Sequence, residues 1–138
     1  MKLKLLLSNY WRSLIILSCI VYLSFAPPST FKGVPAFEFE DKLVHLLMYG
    51  GLTFFMIFDF RRYTKNNAMS GLAFFLICLV IPVFLGGAVE IIQPMYFAPR
   101  TAEWSDWFSD VAGVIFGWSA FLLIKRCFKK YLSNKPSF

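Results

Sequence analysis

Residues 66–89 read NNAMSGLAFFLICLVIPVFLGGAV, a stretch without one charged side chain. It is longer than the ~20 apolar residues with which an α-helix crosses the hydrocarbon core of a membrane. Residues 13–31 form a second charge-free stretch and residues 43–58 a shorter one, while 107–124 is interrupted only by Asp110. Because lipid cannot satisfy free backbone N–H and C=O groups, these segments predict transmembrane helices.

The composition is that of a protein dissolved mainly in lipid. Apolar residues make up 58% of the 138 residues and charged residues only 16%, against about 25% charged residues in a typical soluble protein. A soluble domain of this size could not bury so much apolar surface. The net charge of +6 is interpreted as basic residues flanking membrane spans rather than as a nucleic-acid surface. The three cysteines show neither disulfide-framework nor zinc-site spacing.

We predict one all-α domain over residues 1–138, an integral membrane bundle of four transmembrane helices. The predicted helices cover about 11–27, 41–60, 69–93 and 105–125, and a short basic C-terminal tail covers 126–138. Eleven of the 14 Lys and Arg residues fall on the side of the two termini, whereas seven of the eight acids fall on the other side. The positive-inside rule then places both termini in the cytoplasm.

Ionisable side chains at membrane depth are costly unless they are paired or face water. Here they gather at the predicted outer ends of helices 2, 3 and 4. Residues spaced by four lie one turn apart on the same face of a helix, as the Asp, His and Tyr of helix 2 do. The predicted ligand-binding residues are Asp41, Lys42, His45, Tyr49, Glu90, Gln93, Arg100, Asp106 and Asp110.

Structural interpretations of these residues stay open. His45 could be satisfied by Asp41, and Glu90 could form an ion pair with Arg100 or Lys42. If helices 3 and 4 are neighbours, Asp110 lies near Glu90, and two close carboxylates would share a proton.

Proline, serine and glycine residues in helices 3 and 4 predict a kink, a helix cap and close helix packing. Pro82 predicts a kink, and Ser105 is a plausible N-cap of helix 4. Small residues let a neighbouring helix approach closely. The predicted helix-packing residues are Gly86, Gly87, Gly113 and Gly117.

Taken together, the motifs resemble the VanZ-like family of small bacterial membrane proteins. The resemblance begins with D-K-x-x-H-x-x-x-Y at 41–49, continues with E-x-x-Q at 90–93, and closes with Arg100 and the spaced acids and glycines of 106–117. Ala98-Pro99-Arg100 stands where Pro-Gly-Arg is more usual in the family, and Asp110 where Asn is common. The resemblance implies a bacterial inner (plasma) membrane protein with a cell-envelope role. The family's namesake is associated with resistance to the glycopeptide teicoplanin.

Three functional hypotheses follow. The first is a binding module whose outer polar site holds a lipid-linked or cell-wall head group within the lipid bilayer. The second is an intramembrane acid–base enzyme, a hydrolase or transferase, with His45, Glu90 and Asp110 as candidate catalytic residues. The third is a proton-coupled transporter subunit. We expect no cofactor and no nucleic-acid partner, and one His with scattered carboxylates predicts no metal site. The sequence leaves the oligomeric state open.

Overall fold

The computed structural model describes residues 2–26, 40–64, 70–96 and 101–133, and every regular element within those ranges is helical. Helix α1 is Lys2–Phe25, α2 is Glu40–Thr64 and α3 is Gly71–Tyr96, while α4 is Trp104–Ser133. Contacts between positions 46 and 113 and between 50 and 117 make α2 and α4 parallel. The predicted all-helical fold is therefore confirmed for the described residues.

Three helices are several residues longer than the sequence predicted. Helix α2 covers Glu40–Thr64 rather than 41–60. Helix α1 starts at Lys2 rather than near residue 11, with a kink at Tyr10, where φ is −109° and ψ is 17°. Helix α4 continues to Ser133, so most of the predicted basic tail is helical. Lys and Arg are good helix formers, and no Gly or Pro lies between Gly117 and Pro136. The end of the hydrophobic run is therefore not the end of the helix.

Helix α3 changes its hydrogen-bonding pattern immediately before its proline. The Ser70 side chain caps its first turn by accepting from the N–H of Ala73 at 3.1 Å. The segment Leu76–Val80 is a π-helical turn, after which Pro82 lies in the first turn of Ile81–Tyr96. Proline has no N–H to donate to the preceding turn, and a π-bulge is one way in which a helix accommodates such a defect. The helix then continues through Pro94 to Tyr96, past the predicted end at 93.

Glycines bring α2 and α4 into backbone contact. A Cβ atom placed on Gly117 would collide with the carbonyl oxygen of Gly50 and lie 2.9 Å from its carbonyl carbon. A Cβ on Gly113 would collide with the Leu46 carbonyl oxygen and lie 3.1 Å from the Gly50 nitrogen. The G-x-x-x-G of α4 therefore faces a glycine of α2, which allows the helices to approach more closely than larger side chains permit.

Polar contacts attach α1 near its middle and at its C-terminal end. Near the middle, Arg12 Nη1 lies 2.9 Å from Asp59 Oδ1, and the backbone N–H and hydroxyl of Ser13 donate to Asp59 Oδ2 at 3.2 and 2.8 Å. At the C-terminal end, Gln93 Nε2 donates to the carbonyl of Ser24 at 2.9 Å. An apolar groove of about 600 Å³ borders α1 around the first of these attachments and is lined there by side chains from Leu7 to Leu17. The Asp59 carboxylate, at 0% exposure, is thus compensated by α1.

Within the described residues, three helices are long and apolar enough to cross a membrane: Glu40–Thr64, Gly71–Tyr96 and Trp104–Tyr131. Their outer surfaces carry large apolar side chains, such as Leu72, Phe84 and Leu123, at 59–73% exposure. Apolar surface on this scale indicates contact with lipid or protein rather than water. A fourth span in α1 is not among these three and stays a prediction.

We expect Asp59→Asn and Arg12→Met each to lower the stability of the protein in detergent. Removing one partner of a buried ion pair costs about 3–5 kcal/mol because the other charge stays buried without compensation. Thermal unfolding followed by circular dichroism measures the loss. Arg62→Met is the matched control, since Arg62 is an exposed base on the same end of α2. Equal melting temperatures for Asp59→Asn and Arg62→Met would contradict this account.

Alanine substitution should distinguish a glycine that packs against a neighbouring helix from a glycine with no neighbouring atoms. We expect Gly117→Ala to lower the melting temperature, because its Cβ would overlap the backbone of Gly50, and overpacking costs about 1–3 kcal/mol. Gly71→Ala should be neutral or slightly stabilising, since a Cβ there meets nothing within 4 Å. The same melting experiment compares the two variants. A Gly117→Ala variant as stable as Gly71→Ala would rule out the close approach.

Candidate functional site

A group of polar side chains lies where the N-terminal ends of α2 and α4 meet the C-terminal half of α3. We call it the polar cluster. It contains seven of the predicted ligand-binding residues, contributed by three helices, and is held in place by the α2–α4 contact. Its members are Asp41, Lys42, His45, Tyr49, Glu90, Asp106 and Asp110.

The α2 members of the polar cluster descend from the surface into the bundle. Asp41 is exposed, the His45 side chain is 15% exposed and Tyr49 is 2% exposed. Their spacing of four residues places them on successive turns of one face. Burial increases along this face, so the polar cluster connects the end of the bundle with its interior.

His45 is held by α4 rather than by its own helix. Its Nδ1 lies 2.8 Å from Asp110 Oδ1, whereas the sequence left open a bond to Asp41. An ionised carboxylate only accepts hydrogen bonds, so Nδ1 carries the proton when Asp110 is charged. A Cβ on Gly86 would collide with Asp110 Oδ2 and lie 3.1 Å from Cγ. Gly86 of α3 therefore leaves the space that the Asp110 carboxylate occupies.

Lys42 and Glu90 have different partners from those considered in the sequence. Lys42 Nζ lies 3.4 Å from Asp106 Oδ1 and 3.6 Å from Glu103 Oε2. Glu90 Oε2 accepts a hydrogen bond from the backbone N–H of Glu103 at 3.0 Å. Glu103 thus links α3, α2 and the start of α4. The sequence analysis did not single it out; its position three residues before Asp106 was the available signal.

Helix α4 begins one residue before its predicted cap. The backbone N–H of Asp106 donates to the carbonyl of Glu103 at 2.9 Å, and the helix starts at Trp104. Glu103 therefore occupies the cap position that Ser105 was expected to fill. Asp106 lies in the first turn, where the helix dipole favours a negative charge.

Three buried polar atoms of the polar cluster have no hydrogen-bond partner among the described residues. They are the hydroxyl of Tyr49, Oε1 of Glu90 and Oδ2 of Asp110. These residues are 2%, 3% and 1% exposed. Buried polar atoms in folded proteins are nearly always satisfied, so each such atom requires an explanation. Their location at one end of the bundle favours a ligand site there.

The remaining predicted residues lie apart from this group or outside the described residues. Gln93 faces α1 through its bond to Ser24, which makes it a helix contact. Arg100 lies outside the described residues. Gly87 faces α4: a Cβ there would lie 3.3 Å from Trp107 Nε1, which donates to the carbonyl of Val83 at 3.0 Å.

The structure also brings together potential metal ligands. One ligand atom each from Asp41, His45 and Asp106 lies within 4.8 Å of the other two. Asp106 comes from a different helix, so spacing along α2 could not reveal this group. Chemically, the polar cluster offers an imidazole–carboxylate pair, several carboxylates and one ammonium group, a set suited to binding cations, hydroxyl groups or amines.

No protein-family model, curated protein or solved structure matches the chain in the comparisons with known proteins. The VanZ-like resemblance therefore depends on the motif residues alone.

Proposed function

We propose that the chain is a multi-pass membrane protein whose polar cluster binds the polar head group of a lipid-linked or cell-wall molecule. The observation that carries this proposal is the set of unpartnered buried atoms on Tyr49, Glu90 and Asp110. A ligand with hydroxyl or ammonium donors would satisfy all three, and would remove the cost of leaving buried polar atoms without hydrogen bonds.

The surroundings of the polar cluster favour an amphipathic ligand. Leu43 and Leu47 of α2 are 45% and 55% exposed, and Phe108 of α4 is 63% exposed. Because they are two residues from His45 or Asp110, these side chains lie on the opposite, outward faces of α2 and α4. Lipid acyl chains would therefore cover the outside of the bundle at the level of the polar cluster. Lys42, and Arg100 by its sequence context, would serve a phosphate or carboxylate on such a head group.

We place the polar cluster on the outer face of a bacterial inner membrane, with four spans and both termini in the cytoplasm. The bases support this orientation: Arg12, Arg61 and Lys125 belong to the end opposite the polar cluster. The VanZ-like motifs favour a cell-envelope role, of which a contribution to teicoplanin resistance is one form.

A second candidate function is acid–base catalysis on the head group. The specific observation in its favour is the 2.8 Å contact between His45 Nδ1 and Asp110 Oδ1. A carboxylate that fixes one ring nitrogen leaves the other oriented to accept a proton from a substrate. In this alternative His45 is the base and Asp110 positions it.

Head-group binding predicts that Tyr49→Phe lowers lipid retention without lowering the stability of the delipidated protein. Lipid retention in native mass spectrometry should fall about fivefold, the effect of losing a hydrogen bond worth about 1 kcal/mol. The delipidated protein should be as stable as the wild type or more stable, because the variant removes an unsatisfied hydroxyl. Glu90→Gln should likewise retain less lipid, whereas Arg62→Gln at the opposite end is the control. Equal lipid retention in all four proteins would argue against a head-group site.

The proposed orientation predicts the behaviour of C-terminal fusions. A fluorescent-protein fusion should fluoresce and an alkaline-phosphatase fusion should be inactive, because the former requires the cytoplasm and the latter the outer side. Replacing Lys125, Arg126, Lys129 and Lys130 with Gln should weaken this bias, since positively charged flanks determine orientation. An active phosphatase fusion on the unaltered chain would contradict the proposed topology and place the C-terminus on the outer side.

A further inference from the structure

Asp41, His45 and Asp106 together have the composition of a cation site. Their ligand atoms lie within 4.8 Å of one another, so small side-chain movements would bring them onto one ion. Two carboxylates and one imidazole suit divalent ions that accept oxygen and nitrogen ligands, such as Zn²⁺ and Mn²⁺. Asp41 is exposed, so an ion can reach the group from the end of the bundle.

Asp110 gives His45 the orientation that a metal ligand requires. Metal-binding histidines usually donate their second ring N–H to a carboxylate or carbonyl, which fixes the ring and its tautomer. Asp110 Oδ1 occupies this place at 2.8 Å from His45 Nδ1. Nε2 is the nitrogen left for a metal ion. Asp110 is 1% exposed and comes from another helix, so the ring is fixed by the packing of α2 against α4.

The local charge balance also calls for a cation. Among the described residues, the basic side chains at this end of the bundle are Lys42 and His45, and the acids near them are Asp41, Glu90, Glu103, Asp106 and Asp110. Lys42 contacts Asp106 and Glu103 at 3.4 and 3.6 Å. Asp41 and Asp106 lie in the first turns of α2 and α4, where the helix dipoles favour ionised carboxylates. Ionised carboxylates are the form that binds metal ions.

We infer that Asp41, His45 and Asp106 bind a divalent metal ion of the Zn²⁺ or Mn²⁺ type, with Asp110 positioning the imidazole. The site goes beyond head-group binding and does not depend on it. If the head group is anionic, the ion would also offset the repulsion between that group and the surrounding acids.

The test is titration of the untagged, detergent-solubilised full chain with Zn²⁺ by calorimetry, and with Mn²⁺ by electron paramagnetic resonance. We expect one ion per chain in the wild type. His45→Gln and Asp106→Asn should weaken binding by about tenfold or more, and Asp110→Asn by about tenfold, as loss of an orienting partner does at known metal sites.

Two further variants distinguish a built site from general attraction to an acidic surface. Glu103→Gln removes the same charge from the neighbouring side chain and should change the affinity by less than about twofold, as expected of an exposed charge. Lys42→Met removes a competing cation and should strengthen binding about threefold. A gain in affinity cannot result from misfolding, so this variant keeps the inference testable if the others are unstable.

Several outcomes would overturn the inference. They are no binding of either ion by the wild type, unchanged binding in His45→Gln, and equal losses in Glu103→Gln and Asp106→Asn. The ions are titrated without added lipid, and lipid retention is compared with and without EDTA. Failure of the metal site is thereby distinguishable from failure of the head-group proposal.

Discussion

The backbones of α2 and α4 approach each other at Gly50, Gly113 and Gly117, and the position of the polar cluster depends on this contact. The two helices are parallel, so it brings both N-terminal ends together and sets Asp110 of α4 beside His45 of α2. Acids in both first turns then face one region, which the two helix dipoles make favourable for negative charge. A larger side chain at Gly117 would separate the backbones and, with them, the His45–Asp110 pair.

The two ends of the bundle satisfy their buried carboxylates to different degrees. Asp59 receives an ion pair and two further hydrogen bonds from Arg12 and Ser13, as expected of a carboxylate that only joins helices. At the opposite end, Glu90 and Asp110 each keep one oxygen without a partner among the described residues. Because burial without partners is costly, the contrast favours a structural role for Asp59 and a ligand role for the polar cluster.

The fold was predictable from local patterns, whereas the pairing within the polar cluster was not. Charge-free runs revealed the helices, and four-residue spacing placed Asp41, His45 and Tyr49 on one face. The partners of His45 and Lys42 depend on which turn of α4 lies opposite each turn of α2, and the glycine contact sets that register. The Arg12–Asp59 pair was missed for the same reason, since flanking charges do not reveal that two helices join there.

Acids outnumber bases among the described residues of the polar cluster, and this excess of negative charge connects the two proposals. Lys42 lies at its rim, with a side chain 35% exposed, and compensates Asp106 and Glu103 only from that side. Deeper in the bundle, Asp110 Oδ1 is hydrogen-bonded to His45, and Asp110 Oδ2 has no partner among the described residues. An ion at Asp41, His45 and Asp106 would act near the rim, whereas hydroxyl or ammonium donors would act at Tyr49, Glu90 and Asp110. The two occupants therefore satisfy different atoms, and one does not exclude the other.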